Sequence, residues 1–206
     1  MCGYYCIVSS DQINLDTSIK SLDLISHRGP DSQKFFVNNQ RSVFMGFNRL
    51  SILDLRSKAN QPMIDKESQR IIVFNGEIYN HDEVRKFLIE KNYTFKTTSD
   101  TEVLLKAYDF WKEDLLEKLE GMFSFAIYDK QEQKIWMGRD WIGRLPFYYY
   151  HRDGKLAFSS ERKGLTKSLK TINKNIKVVL PSHYYCFNMK HKHIDKVKYY
   201  NIPIFT

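Results

Sequence analysis

Met1-Cys2-Gly3-Tyr4-Tyr5-Cys6-Ile7-Val8-Ser9 is the stretch on which the reading turns. Residues 2–9 read as a strand, and a thiol stands at its start. An initiator Met before a small residue is normally trimmed, which would leave Cys2 as the N-terminal residue. Thiol and free α-amino group would then sit on one carbon framework. The amine titrates ordinarily at about 7.7–8 and a free cysteine at about 8.5, so at neutral pH the amine can serve as base for its own thiol. Nucleophile and base would be a single residue. Gly3 leaves room for the backbone to approach a substrate. The bland alternative is that Cys2 is a small buried residue near a frayed end. The terminus alone does not decide between them.

After Ser9, Asp16 is expected to cap a short helix carrying Ile19, Leu22 and Ile25. His27-Arg28-Gly29-Pro30-Asp31 stops it. Residues 34–38 and 43–48 read as a hairpin turning at Asn39-Gln40, Gln61-Pro62-Met63 as a loop, and residues 70–74 as a short apolar strand. That strand is expected to end at Asn75-Gly76, before a helix opened by an Asn80/Glu83 capping box. Ser99/Glu102 repeats the signature before Val103, Ala107 and Trp111. A short helix through Leu115, Leu116 and Leu119 is expected to stop at Gly121. Two hairpins follow, residues 123–129 with 134–139 and residues 147–152 with 155–159, the second turning at Asp153-Gly154. Residues 176–180 and 183–188 add late strands. Strands outnumber helices, and helices cluster mid-chain. That implies an α+β fold, mostly antiparallel sheet with helices packed outside.

With 206 residues, 42% hydrophobic and 27% charged, the chain reads as one large domain or two small ones with a substantial core. No apolar run reaches a membrane span, and no basic region precedes an apolar stretch at the N-terminus. Cys2 and Cys6, four apart on a strand, should lie about 13 Å apart, beyond disulfide reach. Reduced thiols without an export signal imply the cytoplasm. No His/Cys spacing suits a metal. From Lys163 to Lys198 stand nine Lys and one acid, Asp195, so this segment carries the whole net charge of +8. It reads as a solvated face; the sharper alternative is a docking surface for an acidic partner. Lys in place of Arg forks, and no glycine-aromatic signature, argues against nucleic acid.

Amide hydrolysis by a terminal Cys requires oxyanion donors and a grip on the substrate. Asn75 and Gly76 offer a side-chain amide and a backbone N–H, though Asn-Gly is also a common turn. Arg49 could hold a carboxylate with its fork, and Asp100 an ammonium group. Singly, these are equally a surface Arg and a helix-start carboxylate. Together their charges suit both ends of an α-amino acid.

Several motifs now fall into register. Met1-Cys2-Gly3, His27-Arg28-Gly29-Pro30-Asp31, Arg49-Leu50-Ser51-Ile52, Gln61-Pro62, Asn75-Gly76-Glu77-Ile78-Tyr79-Asn80 and Ser99-Asp100-Thr101-Glu102 follow in order along the chain. Gly121-Met122-Phe123-Ser124-Phe125-Ala126, Arg139-Asp140 through Gly143, Pro146 and Tyr148, and Ser160-Glu161 complete the set. Nearly end to end, the chain resembles the glutaminase domain of glutamine-hydrolysing asparagine synthetase. This is a class II glutamine amidotransferase within the N-terminal-nucleophile hydrolases. The resemblance implies a four-layer αββα sandwich and a single glutamine amidotransferase type 2 domain over 1–206, with 190–206 as a linker toward a synthetase domain.

It also implies roles. Cys2 would be the nucleophile, with Asn75 and Gly76 as oxyanion donors. Arg49 would bind the α-carboxylate of L-glutamine and Asp100 its α-amino group, helped by backbone of Leu50, Ser51, Ile52, Leu53 and Glu77. His27, Arg28 and Asp31 would mainly shape their loop. No cofactor or metal is expected in this chain. ATP and Mg would belong to the synthetase domain, in cis or in trans, because these 206 residues hold no P-loop and no S-G-G-x-D motif. Trp141 and Arg144-Leu145 depart from the family pattern and would alter the surface through which ammonia leaves. Two rivals remain: a catalytically silent module that stabilises or regulates a synthetase partner, and a hydrolase of another amide.

Overall fold

Period-two alternation in β1 (Gly3–Val8) sets the layering of the molecule. Tyr4, Cys6 and Val8 face one apolar cluster, while Tyr5 and Ile7 face another. β1 is central in the first sheet, ordered β10-β8-β9-β1-β3-β2, where β2 is Ser32–Val37, β3 is Val43–Arg49, β8 is Tyr148–Arg152, β9 is Lys155–Ser159 and β10 is Lys177–Val178. The second sheet runs β12-β11-β7-β6-β5-β4, from β4 (Met63–Asp65), β5 (Arg70–Ile78), β6 (Gly121–Asp129), β7 (Lys134–Arg139), β11 (His183–Asn188) and β12 (His193–Lys198). Every pairing is antiparallel. The computed structural model describes residues 1–201.

Three apolar clusters separate four layers. The central one joins Tyr4, Cys6, Met45 and Phe47 of the first sheet to Ile71, Val73, Ala126 and Met137 of the second. The outer face of the first sheet packs on α1 (Leu15–Asp23) and α4 (Arg162–Leu169) through Leu22 and Leu165. The outer face of the second packs on α2 (His81–Glu90) and α3 (Asp100–Trp111) through Val84, Leu88, Val103 and Leu104. The result is the αββα sandwich.

Several local expectations are corrected. The cap of α1 is Asn14, whose side chain accepts from Thr17 N–H, and not Asp16. The β2–β3 turn does centre on Asn39-Gln40 as expected, and it is held by Asn38, whose side-chain oxygen accepts from the amides of Ser42 and Val43. Asn80 precedes α2 without capping it; its side chain bridges to Lys118 and Glu120. Ser99 does cap α3, but the Glu102 carboxylate turns back to the amides of Lys96 and Thr97. Residues 112–118 form a 3-10 turn, and Gly121 opens β6 instead of ending a helix. Met63 begins a strand, and the segment 176–180 contributes only the two-residue β10. α4 and β12 were not expected. Within 190–206, read from sequence as a linker, β12 pairs along its full length with β11. Ile202 to Phe205, the apolar end of the tail, lie outside the described residues.

Candidate active site

β1 and β3 run antiparallel with Gly3 opposite Asn48, so Cys2 lies beside the end of β3. The Cys2 thiol faces Leu50: its Sγ is 3.5 Å from the Leu50 carbonyl and accepts from the Leu50 N–H at 3.3 Å. Arg28 donates from Nε to the Cys2 carbonyl at 2.9 Å, which fixes the Cys2 backbone. Arg28 is held in turn by Glu161, which also accepts from His27. Burial pushes the Cys2 thiol up from its ordinary value, opposed by the Leu50 contact, the amino terminus, Arg49 and Arg28. Met1 precedes it, so here the nitrogen of Cys2 is a peptide nitrogen.

β5 approaches from the facing sheet. It does not end at Phe74 as expected but pairs with β6 through Ile78, so Asn75-Gly76 lies within a strand. Ile71 and Val73 face the central layer, and by alternation so does Asn75, toward the sheet that carries Cys2. The Asn75 side chain is buried, and its Nδ2 has no hydrogen-bond partner among the described residues. A buried amide donor left unmatched is costly unless a ligand is meant to receive it.

The Gly76 N–H follows from the ladder. Phe74 N–H donates to Gln61 Oε1 and Ile78 N–H to Asp100 Oδ2, both away from β6. Gly76 has the same parity, so its N–H leaves the same edge of β5, between those two. β4 stops short of this point, reaching only as far as Ile72. Gly76 has φ +148°, and a Cβ there would lie 2.2 Å from the Met122 carbonyl. Only glycine fits.

These ends enclose a cleft of about 660 Å³, open mouth included. Its walls bring together Cys2, Arg49, Leu50, Ile52, Leu53, Asn75, Gly76, Glu77 and Asp100. Ser51 is outside; its N–H donates to Asp31. Asp100, the first residue of α3, is buried, and desolvation pushes its carboxyl up to about 6 against the Ile78 hydrogen bond and nearby His81. Arg49 departs from its expected posture. Its Nη1 donates to Arg56 O and Asn60 Oδ1, and its Nη2 to Leu53 O and Asp54 O, so the fork grips the 53–60 loop.

Gln61, quoted from sequence only as part of a motif, also lines the cleft. Its amide ties Phe74 of β5 to Thr101 of α3. Ala59, Phe74, Ser99 and Thr101, with Met1, Met122 and Leu145, complete the walls, and no motif pointed to Leu145 as a lining residue. Among the described residues no group of three or more His, Cys, Asp or Glu is arranged to hold a metal ion, and no helix is long and apolar enough to cross a membrane.

A thiol at a strand end and an unmatched amide donor thus line one cleft between two antiparallel sheets. Glutamine phosphoribosylpyrophosphate amidotransferase from B. subtilis superposes with a TM-score of 0.79 over 97% of this chain and 49% of that one, at 16% identity. The model of the glutamine amidotransferase domain family matches residues 1–205, and the chain belongs to that family. Asparagine synthetase 1 (glutamine-hydrolysing) of Bacillus subtilis is 41% identical over 170 residues, 80% of this chain and 26% of that protein. Asparagine synthetase B of Escherichia coli is 34% identical over 176 residues, 84% of this chain and 31% of that protein. The chain therefore spans about a third or less of the length of these two relatives.

Proposed function

We propose that this chain hydrolyses L-glutamine to glutamate and ammonia through a γ-glutamyl thioester on Cys2. The observation that carries the reading is the buried, unpartnered Asn75 Nδ2 in the cleft that holds Cys2 and Asp100. Cys2 Sγ attacks the side-chain amide carbon, and the carbonyl electrons move onto oxygen. Asn75 Nδ2 and Gly76 N–H donate to that oxyanion. Because burial holds the thiol proton more tightly, the proton leaves as the S–C bond forms. Its acceptor is the α-amine that Met1 removal would free on Cys2, which hands it to the departing nitrogen. Water then cleaves the thioester.

Asp100 takes the substrate ammonium and Arg49 its carboxylate, the loop carbonyls on Arg49 giving way as glutamine enters. Backbone of Leu50 to Leu53 and of Glu77 flanks the bound amino acid. The ammonia supplies an asparagine-synthetase-type amidation on an ATP-dependent domain, in cis or in trans, where ATP and Mg would act. The occupied Arg49 fork favours one second reading, a catalytically silent module that stabilises or regulates a synthetase partner.

The test is release of glutamate and ammonia from glutamine by the Met1-processed chain. Wild type, Cys6→Ala and Cys186→Ala should be active and Cys2→Ala inactive though folded. No release from wild type would leave the silent module.

A further inference from the structure

Beneath the cleft, one hydrogen bond crosses the sandwich. Tyr4 Oη donates to Ser124 Oγ at 2.9 Å, and both residues are fully buried. Tyr4, on β1, is two residues from Cys2, and both side chains pack in the same central cluster. Ser124 lies directly opposite Asn75 in the β5–β6 ladder, so their side chains share one face. The bond thus ties the strand of the thiol to the strand pair of the amide donor, one step below the reacting groups.

The surroundings leave Tyr4 little freedom. Its ring meets Phe147 and Phe158 edge-on, with centroids 5.5 and 6.3 Å away. Its backbone is clasped by Ser160, whose Oγ accepts from Tyr4 N–H and whose N–H donates to Tyr4 O. Burial raises the phenol far above its ordinary range, so the hydroxyl stays a neutral donor. Arg139 of β7, opposite Ser124, donates to the carbonyls of Leu145 and Val179 toward the far end of the first sheet; between β1 and the β5–β6 pair the contacts around this bond are apolar, which resist separation but do not fix a distance. A directional bond between rigid partners does.

We propose that Tyr4 and Ser124 are positioning residues that set the separation of Cys2 Sγ from Asn75 Nδ2, and with it the fit of the oxyanion site. This rests on the glutaminase reading. Attack on an amide needs both groups at once, whereas alkylation of the thiol passes through no oxyanion and needs only Cys2.

The experiment compares Tyr4→Phe, which removes one oxygen and keeps the ring, and Ser124→Ala, each alone and combined with Asn75→Ala. Each is assayed for glutamine hydrolysis, alkylation by iodoacetamide and thermal unfolding. Expected is a fall in kcat of about tenfold with KM unchanged, smaller than the roughly 10²–10³ lost with an oxyanion donor itself. The alkylation rate should match wild type. In the Asn75→Ala background neither change should lower kcat further, since the contact they adjust is gone. Wild-type kcat in both variants overturns the proposal, as does the same fold-loss with and without Asn75, or a parallel fall in alkylation. Inactive wild-type protein would overturn the glutaminase reading itself, a different result from active wild type with indifferent variants.

Discussion

At the scale of single residues, Asp100 carries a desolvation cost. Desolvation raises its carboxyl from the ordinary 3.8 to about 6. The folded chain therefore binds this proton more tightly than the unfolded chain does. For such a group, stability is fully present below pH 3.8 and is lost as pH rises to about 6. The loss is on the order of 3 kcal/mol, and it persists at neutral pH. Asp100→Asn should then raise the melting temperature by several degrees at pH 7.5 and hardly at all at pH 4. The same change removes the ammonium's counter-charge and should raise KM for glutamine at least about tenfold. Glutamine affinity of wild type should also weaken as pH falls through about 6. Thermal melts at two pH values and a KM profile check this, and equal gains at both pH values would dismiss the burial argument. Met1 belongs to the same scale. It lines the cleft and acylates the nitrogen that the proposed mechanism uses as base. A sample shown by intact mass to retain Met1 should release no ammonia; full activity there would dismiss the shared nucleophile and base.

Among the elements, β5 teaches the most about what the sequence discloses. Asn75-Gly76 read as a strand end because that pair usually makes a turn. The chain instead continues to Ile78 with Gly76 at φ +148°, a conformation invisible in residue type. The donors proposed at Asn75 and Gly76 thus rested on a partly wrong local reason, and their assignment came from the family motif. The β8–β9 hairpin was legible because Asp153 and Gly154 both take positive φ, as a two-residue turn demands. α4 and β12 escaped notice because they bury so little: Gly164 and Leu165 in one, Ile194 in the other. Lys-rich segments of that kind give no apolar period to read. The grip of Arg49 on the 53–60 loop was equally hidden, since its partners are mostly backbone carbonyls. Gly76→Ala tests the β5 geometry. It combines a forbidden φ with a Cβ 2.2 Å from Met122 O, and should cost at least about 2 kcal/mol of stability. A urea midpoint unchanged from wild type would show that this part of the strand is not held as described.

For the molecule as a whole, the distribution of charge and apolar surface decides how a partner would dock. Sequence placed the entire excess of +8 in one segment, inviting a basic docking face. The fold scatters those lysines over α4, on the outside of one sheet, and over β10, β12 and the β11–β12 turn. Some are already engaged: Lys163 pairs with Glu161, and Lys196 sits over the rings of Tyr149 and Tyr185. Exposed apolar side chains gather elsewhere. Ile52, Leu53 and Leu55 follow β3 on the loop that walls the cleft. Trp141 and Ile142 stand on the 140–146 loop, whose Leu145 also lines it, and Trp141 packs against Tyr200. A domain that receives ammonia from the cleft would cover this rim. Burying each such aliphatic side chain is worth about 1.5–3 kcal/mol, and salt does not screen it. The prediction is that an ATP-dependent synthetase domain binds with an affinity nearly independent of ionic strength. Ile142→Asp should weaken it at least about tenfold, the equivalent of roughly 1.4 kcal/mol. Charge reversal at Lys163 and Lys167 should leave it unchanged. Calorimetric titration at low and high salt reads both outcomes. A steep loss of affinity with salt that follows the α4 lysines, with Ile142→Asp silent, would return the docking site to the basic segment and leave the apolar rim to contact only the substrate.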